Sequence, residues 1–373
     1  MKYRKLGKTG LNVSEIGLGT EYLNKKSGKT VNSVVHESIE RGVNYFDILF
    51  AYKEYRDNLG YALKGYRSKV IIAGHICCSE TNGQYRLSRE IKENEELFND
   101  LLKRLHTDYV DIVFIQMVNE MASYEDITRT DGIMELAYRL KKEGKARFVG
   151  ISGHKAPAVK TTIDTGYVDV LMFPINIVWD FIPGRKDILE ICSKNSIGLV
   201  AMKPYAGGRI FQKRNSKYIT TVQALNYILS HNAISTVVPG VKNVKELKET
   251  LRYLEASKKE KDYSTIIAES QQDLHGNCVY CNHCLPCPEG IDIGKVINKL
   301  DRITENHKKI KTKLDLYYPG RIRLSRENFK GLSDDISKCT ECGICMKRCP
   351  FEVDVIGKIK KQETVVREAR IRS

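Results

Sequence analysis

Eight cysteines fall in two tight runs toward the C-terminal end of the sequence. The first run is Cys278-x2-Cys281-x2-Cys284-x2-Cys287-Pro288, and the second is Cys339-x2-Cys342-x2-Cys345-x3-Cys349-Pro350. Three thiolates at two-residue intervals converge on three irons of one cubane, and a distant fourth cysteine ahead of proline ligates the other cluster. The spacing predicts one 4Fe–4S cluster on Cys278, Cys281, Cys284 and Cys349. It predicts a second on Cys339, Cys342, Cys345 and Cys287. Zinc is the competing reading, since four cysteines also hold that metal. Zinc ribbons, however, divide their cysteines into two separated CxxC pairs, whereas here four come in a row, twice. The x2 spacing before Cys287 is one residue shorter than the usual x3, which marks this ligand as geometrically unusual. The other three cysteines, Cys77, Cys78 and Cys192, read as ordinary strand or helix residues.

The elements that must position this chemistry occupy the preceding 250 or so residues, about the length of a barrel. Eight short apolar runs read as strands: Ile16–Gly19, Val43–Asp47, Val70–Gly74, Asp111–Ile115, Arg147–Ile151, Asp169–Phe173, Gly198–Met202 and Thr236–Pro239. Amphipathic stretches lie between them, among them Val31–Arg41, Leu87–Leu105, Gly132–Glu143 and Thr221–Ser230. Strict alternation predicts a parallel sheet, and eight units favour a closed (β/α)8 barrel. A doubly wound sheet is the alternative, but no G-x-G-x-x-G follows an early strand. Ahead of the first barrel strand, Tyr3–Leu6 and Leu11–Glu15 flank a Gly-Lys-Thr-Gly turn and read as a hairpin plugging the barrel's N-terminal end. The domain reading is a barrel over 1–257, a charged helical connector over 258–275, and a helical ferredoxin-type module over 276–373.

Composition narrows the classes further. A hydrophobic content of 42% fills a substantial core and excludes wholesale disorder. Neither an apolar leader nor a run long enough to span a bilayer is present, so a soluble cytoplasmic protein is expected. The formal charge of +15 is spread along the chain, densest at Lys308–Lys313, Arg321–Lys330 and Lys358–Arg372. It reads as solvated helix faces or as a docking surface for an acidic electron carrier such as ferredoxin. No helix-turn-helix, zinc-finger or RNP-type signature supports nucleic acid.

The opening segment Tyr3-Arg-Lys-Leu-Gly-Lys-Thr-Gly-Leu-Asn-Val-Ser-Glu-Ile-Gly-Leu-Gly-Thr20 resembles the N-terminal hairpin and first strand of aldo/keto reductases. Arg41-Gly-Val-Asn-Tyr-Phe-Asp47-x4-Tyr52, Val149-Gly-Ile-Ser-Gly-His154 and Val238-Pro-Gly240 resemble later motifs of that superfamily. The barrel followed by a cysteine-rich segment resembles its ferredoxin-fused branch. The resemblance implies that Tyr52 is the general acid–base and Asp47 its buried carboxylate partner. The positions of the family's Lys and His are held here by His75 and Gln116. His75 supplies a cation only when protonated, and Gln116 offers an amide hydrogen bond without charge. His154 reads as structural. The resemblance also implies a nicotinamide site, NADP(H) or NAD(H), built from Gly19, Thr20, Ser152, Lys203, Gly240, Lys242, Lys245 and Glu249. The family's cofactor-binding Arg position falls on Glu246, and its closing Glu-Asn becomes Glu249-Thr250.

Three functions follow as expectations. The first is an iron–sulfur oxidoreductase with a small-molecule substrate at the barrel mouth, exchanging electrons through its clusters with an external carrier. A hydride carries two electrons and each cluster accepts one, so this reading needs a splitter such as a flavin, for which no fingerprint is present, or a substrate that tolerates radical intermediates. The second is a NAD(P)H-dependent carbonyl reductase whose clusters are structural or regulatory. The third is a non-enzymatic electron-transfer or redox-sensing subunit on a barrel scaffold.

Overall fold

The computed structural model describes residues 1–177, 184–211, 219–264, 276, 278, 284–309, 326–349 and 352–360. The chain divides into two compact units, one of residues 1–80 and 87–273, the other of residues 81–86 and 274–373.

In the first unit, β1 (Tyr3–Lys5) and β2 (Asn12–Ser14) form the expected antiparallel hairpin. Leu6, Leu11 and Val13 are buried, and the Lys8 N–H donates to the Ser196 carbonyl just before the strand Gly198–Met202 begins. The hairpin therefore covers the end of the barrel where the strands start. Eight parallel strands follow: β3 (Leu18–Gly19), β4 (Tyr45–Ile48), β5 (Ile71–Ile76), β8 (Val110–Ile115), β9 (Ala146–Ser152), β10 (Val170–Pro174), β11 (Gly198–Met202) and β12 (Ile234–Val237). Helices cover the outside of this sheet, so β5 and β8 are buried at every residue and are apolar apart from His75 and Asp111. The sheet closes on itself through Ile16 with Val237 and Gly19 with Gly240. The seam needs its glycines: a Cβ on Gly19 would lie 3.0 Å from the Val238 carbonyl, and one on Gly240 would meet the Tyr22 ring at 2.6 Å.

Two differences from the sequence reading stand out. The last strand lies two residues earlier than Thr236–Pro239, because Ile234 pairs with Leu199 before a register shift, while Pro239 contributes only its carbonyl, to Gly19. A second hairpin, β6 (Cys78–Thr81) and β7 (Gln84–Leu87), fills the stretch between the Val70–Gly74 strand and the Leu87–Leu105 helix of the sequence reading, and that helix begins at Ile91. The turn residues Asn82 and Gly83 both take positive φ, 53° and 75°.

The loop carrying Tyr52 is fixed from below by Arg56, whose side chain is 1% exposed. Its Nε donates to the Phe50 carbonyl at 2.9 Å, and its Nη1 donates to Leu97 O at 2.7 Å and Asp100 Oδ2 at 3.0 Å. Replacing Arg56 with methionine leaves three acceptors short of a donor. An expected loss of about 1–3 kcal/mol in unfolding free energy follows, measurable by denaturant titration.

In the second unit, helices span Ile293–Lys309, Arg326–Ser337 and Ile344–Arg348. Their buried faces include Val296, Ile297, Leu300, Leu332 and Ile336. Of the charged connector, residues 258–264 are described: Lys258–Lys261 is a short helix capped by Ser257 and Glu260, and Tyr263 packs edge-on against Tyr227. Residues 265–275 and the Tyr317–Gly320 turn lie outside the described residues. Among the described residues, no helix is long and apolar enough to cross a membrane.

Candidate active site and cysteine cavity

The ends of β4 and β5 bring two of the expected residues together. Asp47 pairs in register with Ala73, which sets it beside the strand that carries His75. His75 Nε2 lies 2.7 Å from Asp47 Oδ1, and both residues are buried. A carboxylate only accepts, so Nε2 carries the proton. His75 Nδ1 is buried with no hydrogen-bond partner among the described residues. The imidazole stacks on Phe114, with centroids 5.2 Å apart and planes 27° from parallel. Thr20 steadies the pair from the neighbouring strand, its hydroxyl donating to the Asp47 carbonyl at 2.6 Å. Below, burial raises the Tyr45 phenol well above its ordinary range, and the Asp47 charge adds to the rise.

Tyr52 occupies the N-cap position of Lys53–Leu63, half-buried, with its ring 5.2 Å from that of Phe50. Gln116 is the first residue after β8 and is buried. His154 is buried, with its backbone N–H donating to Asn119 Oδ1 at 2.7 Å. Cys77, Cys78 and Cys192 are buried too. Burial pushes the Cys78 and Cys192 thiols up to about 12, so they pack as neutral groups.

Sequence reasoning missed Glu21, two residues past β3 at the same end of the barrel. Burial raises its carboxyl pKa, the Lys203 ammonium opposes that rise, and the Asp47 charge reinforces it. The signal was its position: an acid directly after Gly19-Thr20, on the rim where barrel chemistry resides.

The expected nicotinamide residues divide by role. Lys203 follows β11 with a left-handed φ of 56°, and its carbonyl accepts from Asn176. Gly19 and Gly240 serve the seam. Ser152 Oγ accepts from the Met117 N–H at 3.4 Å, so it ties β9 to the loop after β8. Lys242 and Lys245 are exposed at the N-terminal end of helix Val244–Leu251. That helix end is capped by Asn243, whose Oδ1 accepts from the Glu246 N–H at 2.9 Å. Glu246 Oε2 in turn accepts from the Lys242 N–H at 2.9 Å. The chain thus supplies its own carboxylate where a helix terminus would receive a phosphate. Glu249 is turned to other work, accepting from Thr221 at 2.8 Å and pairing with Arg252 at 3.3 Å, while buried Thr250 accepts from Tyr205.

In the second unit, Cys287, Cys339, Cys342 and Cys345 line one cavity, walled by Ile291, Ile293, Val355 and Ile359. Burial pushes the Cys345 thiol up to about 11, and the other three cysteines add to the rise. Thiols of this kind are the donor type that an iron–sulfur cluster takes, and here four of them line one cavity. Among the described residues, no three His, Cys, Asp or Glu side chains are grouped to hold a single metal ion. Cys349 lies outside the lining of this cavity, and Cys278 and Cys284 are both partly exposed. Cys281 lies outside the described residues.

Residues 15–223 match the Aldo/keto reductase family. The uncharacterized oxidoreductase YqkF of Bacillus subtilis is 25% identical over 312 residues, 74% of this chain and 98% of its own length. L-galactose dehydrogenase of Arabidopsis thaliana is 27% identical over 291 residues, 67% of this chain and 87% of its own. The holo form of aldo-keto reductase AKR11C1 from Bacillus halodurans superposes with a TM-score of 0.61 at 23% identity, covering 73% of this chain and 97% of that one. A closed barrel of eight parallel strands, matched over more than half the sequence, makes this chain an oxidoreductase that belongs to the aldo/keto reductase family.

Proposed function

We propose that the barrel interconverts a carbonyl and an alcohol with a nicotinamide cofactor, preferring NAD(H) to NADP(H). The buried Asp47–His75 pair at the barrel rim carries this reading. Tyr52 donates the proton to the carbonyl oxygen, and the phenolate left behind is stabilised by His75, which Asp47 holds through Nε2. Gln116 orients the carbonyl oxygen with its amide. When bound, the reduced nicotinamide supplies the hydride. Lys203 and Lys242 are the cations that fit the dinucleotide's phosphates. Glu246 accepts from ribose hydroxyls but repels a 2′-phosphate, which sets the preference for NAD(H).

An anaerobic titration followed by nicotinamide fluorescence tests this reading. Saturable NADH binding, tighter than NADPH binding, is the expected result. Glu246→Arg should reverse the preference by about tenfold or more, the worth of one charge-assisted hydrogen bond. Absence of binding by either cofactor at millimolar concentration sinks the proposal.

The cavity lined by Cys287, Cys339, Cys342 and Cys345 supports a second element. The C-terminal segment is a ferredoxin-type module with two 4Fe–4S clusters, one on these four residues and one on Cys278, Cys281, Cys284 and Cys349. With nicotinamide chemistry in the barrel, the clusters are structural or regulatory. Exchange of single electrons with an acidic carrier is the alternative role, and it predicts cluster reduction by substrate without added nicotinamide.

A further inference from the structure

The peptide group joining Pro286 to Cys287 is held from both ends. Its carbonyl oxygen accepts from Arg348 Nη1 at 2.9 Å, and its N–H donates to Gln84 Oε1 at 2.9 Å. Arg348 adjoins Cys349 in the second cysteine run. Gln84 lies far away in sequence, in the β6–β7 hairpin that leaves the barrel strand bearing His75. Residues 81–86, the turn of that hairpin, pack with residues 274–373 as part of the second unit. Arg86 Nε donates to Thr81 Oγ1 at 3.0 Å, bracing the turn from which Gln84 projects.

Cys287 is the member of the cavity that arrives from the other cysteine run and carries the shortened spacing. An amide plane clamped at both N–H and C=O has lost its freedom to rotate, and the Cys287 side chain is the next group along the chain. Outer partners of this kind orient a ligand without touching the metal.

We propose that Gln84 is a positioning residue for the cluster held by Cys287, Cys339, Cys342 and Cys345, so that a hairpin inserted after β5 forms part of that site. The proposal rests on the reading of these cysteines as cluster ligands. Gln84 keeps the Cys287 N–H engaged, which also withholds that donor from the ligand's own sulfur, and donors to sulfur tune a cluster's potential.

The test uses the full chain, purified anaerobically, as wild type, Gln84→Leu and Gln84→Glu. Iron release to a chelator, the reduction potentials of both clusters and thermal stability are measured for each. Gln84→Leu preserves the side chain's bulk but cannot accept. It should speed the release of half of the iron by about 10- to 100-fold, the usual cost of removing an outer partner, and shift one potential of the two. Gln84→Glu still accepts and should restore the slow release. Unchanged release and potentials in Gln84→Leu overturn the proposal, as does a loss of thermal stability alone, which would mean the bond only docks the hairpin. A wild-type protein without iron would instead sink the cluster reading itself, and this result is separable because it appears before any substitution.

Discussion

Replacing Tyr52 with phenylalanine is expected to lower kcat for carbonyl reduction by about 100- to 10,000-fold, the contribution of a positioned general acid. Nicotinamide dissociation should be unchanged, because the hydroxyl acts on the substrate oxygen in the transition state. The ring itself remains, so its packing on Phe50 and the cap position of Lys53–Leu63 are retained. Asp47→Asn provides the comparison. Its amide oxygen still accepts from His75 Nε2, but the charge that steadies an imidazolium is lost, so kcat should fall while the fold persists. Steady-state kinetics with matched thermal denaturation separate these effects. Full turnover in Tyr52→Phe, with any substrate found, removes Tyr52 from the mechanism and leaves the Asp47–His75 pair without its proton donor.

Replacing Cys342 with alanine is expected to halve the iron content, from about eight atoms per chain to about four, as one cubane of two is lost. Pairing across the two cysteine runs makes this sharper. Cys287→Ala combined with Cys342→Ala should lose no more iron than Cys342→Ala alone, since both residues face one cavity. Cys349→Ala combined with Cys342→Ala should lose nearly all of it. Iron, zinc and sulfide analysis of anaerobically purified protein reads the outcome. Zinc in place of iron, or iron loss that follows sequence neighbours instead of the interleaved sets, overturns the assignment.

The parts of the molecule legible in the sequence are those with a local cause. The Val110–Ile115 strand announces itself because, Asp111 aside, helices outside and side chains within the barrel leave it only apolar residues. The N-terminal hairpin is equally plain, since Gly7 and Gly10 supply the positive φ its turn requires. Asp47 and His75 were placed individually, but their union at 2.7 Å depends on the register of β4 against β5, which no single segment records. The β6–β7 hairpin was missed although its signal was present. Asn82-Gly83 between two short polar–apolar runs is the commonest two-residue hairpin turn, and the helical periodicity starting a few residues later obscured it. Glu246 was recognised as a departure from the family. That its carboxylate folds back on the Lys242 N–H emerges only from the cap geometry.

The barrel's closing seam has a consequence for synthesis. Arg4 donates to the carbonyls of Leu229 and Ile234, 225 and 230 residues further along the chain, and Ile16 and Gly19 meet Val237 and Gly240. While a ribosome is still making the chain, the N-terminal hairpin covers only the strands already made, and the outer edge of β3 lacks its β12 neighbour. The seam waits until residue 240 has emerged, which leaves that edge open meanwhile. The cysteine runs are translated later still.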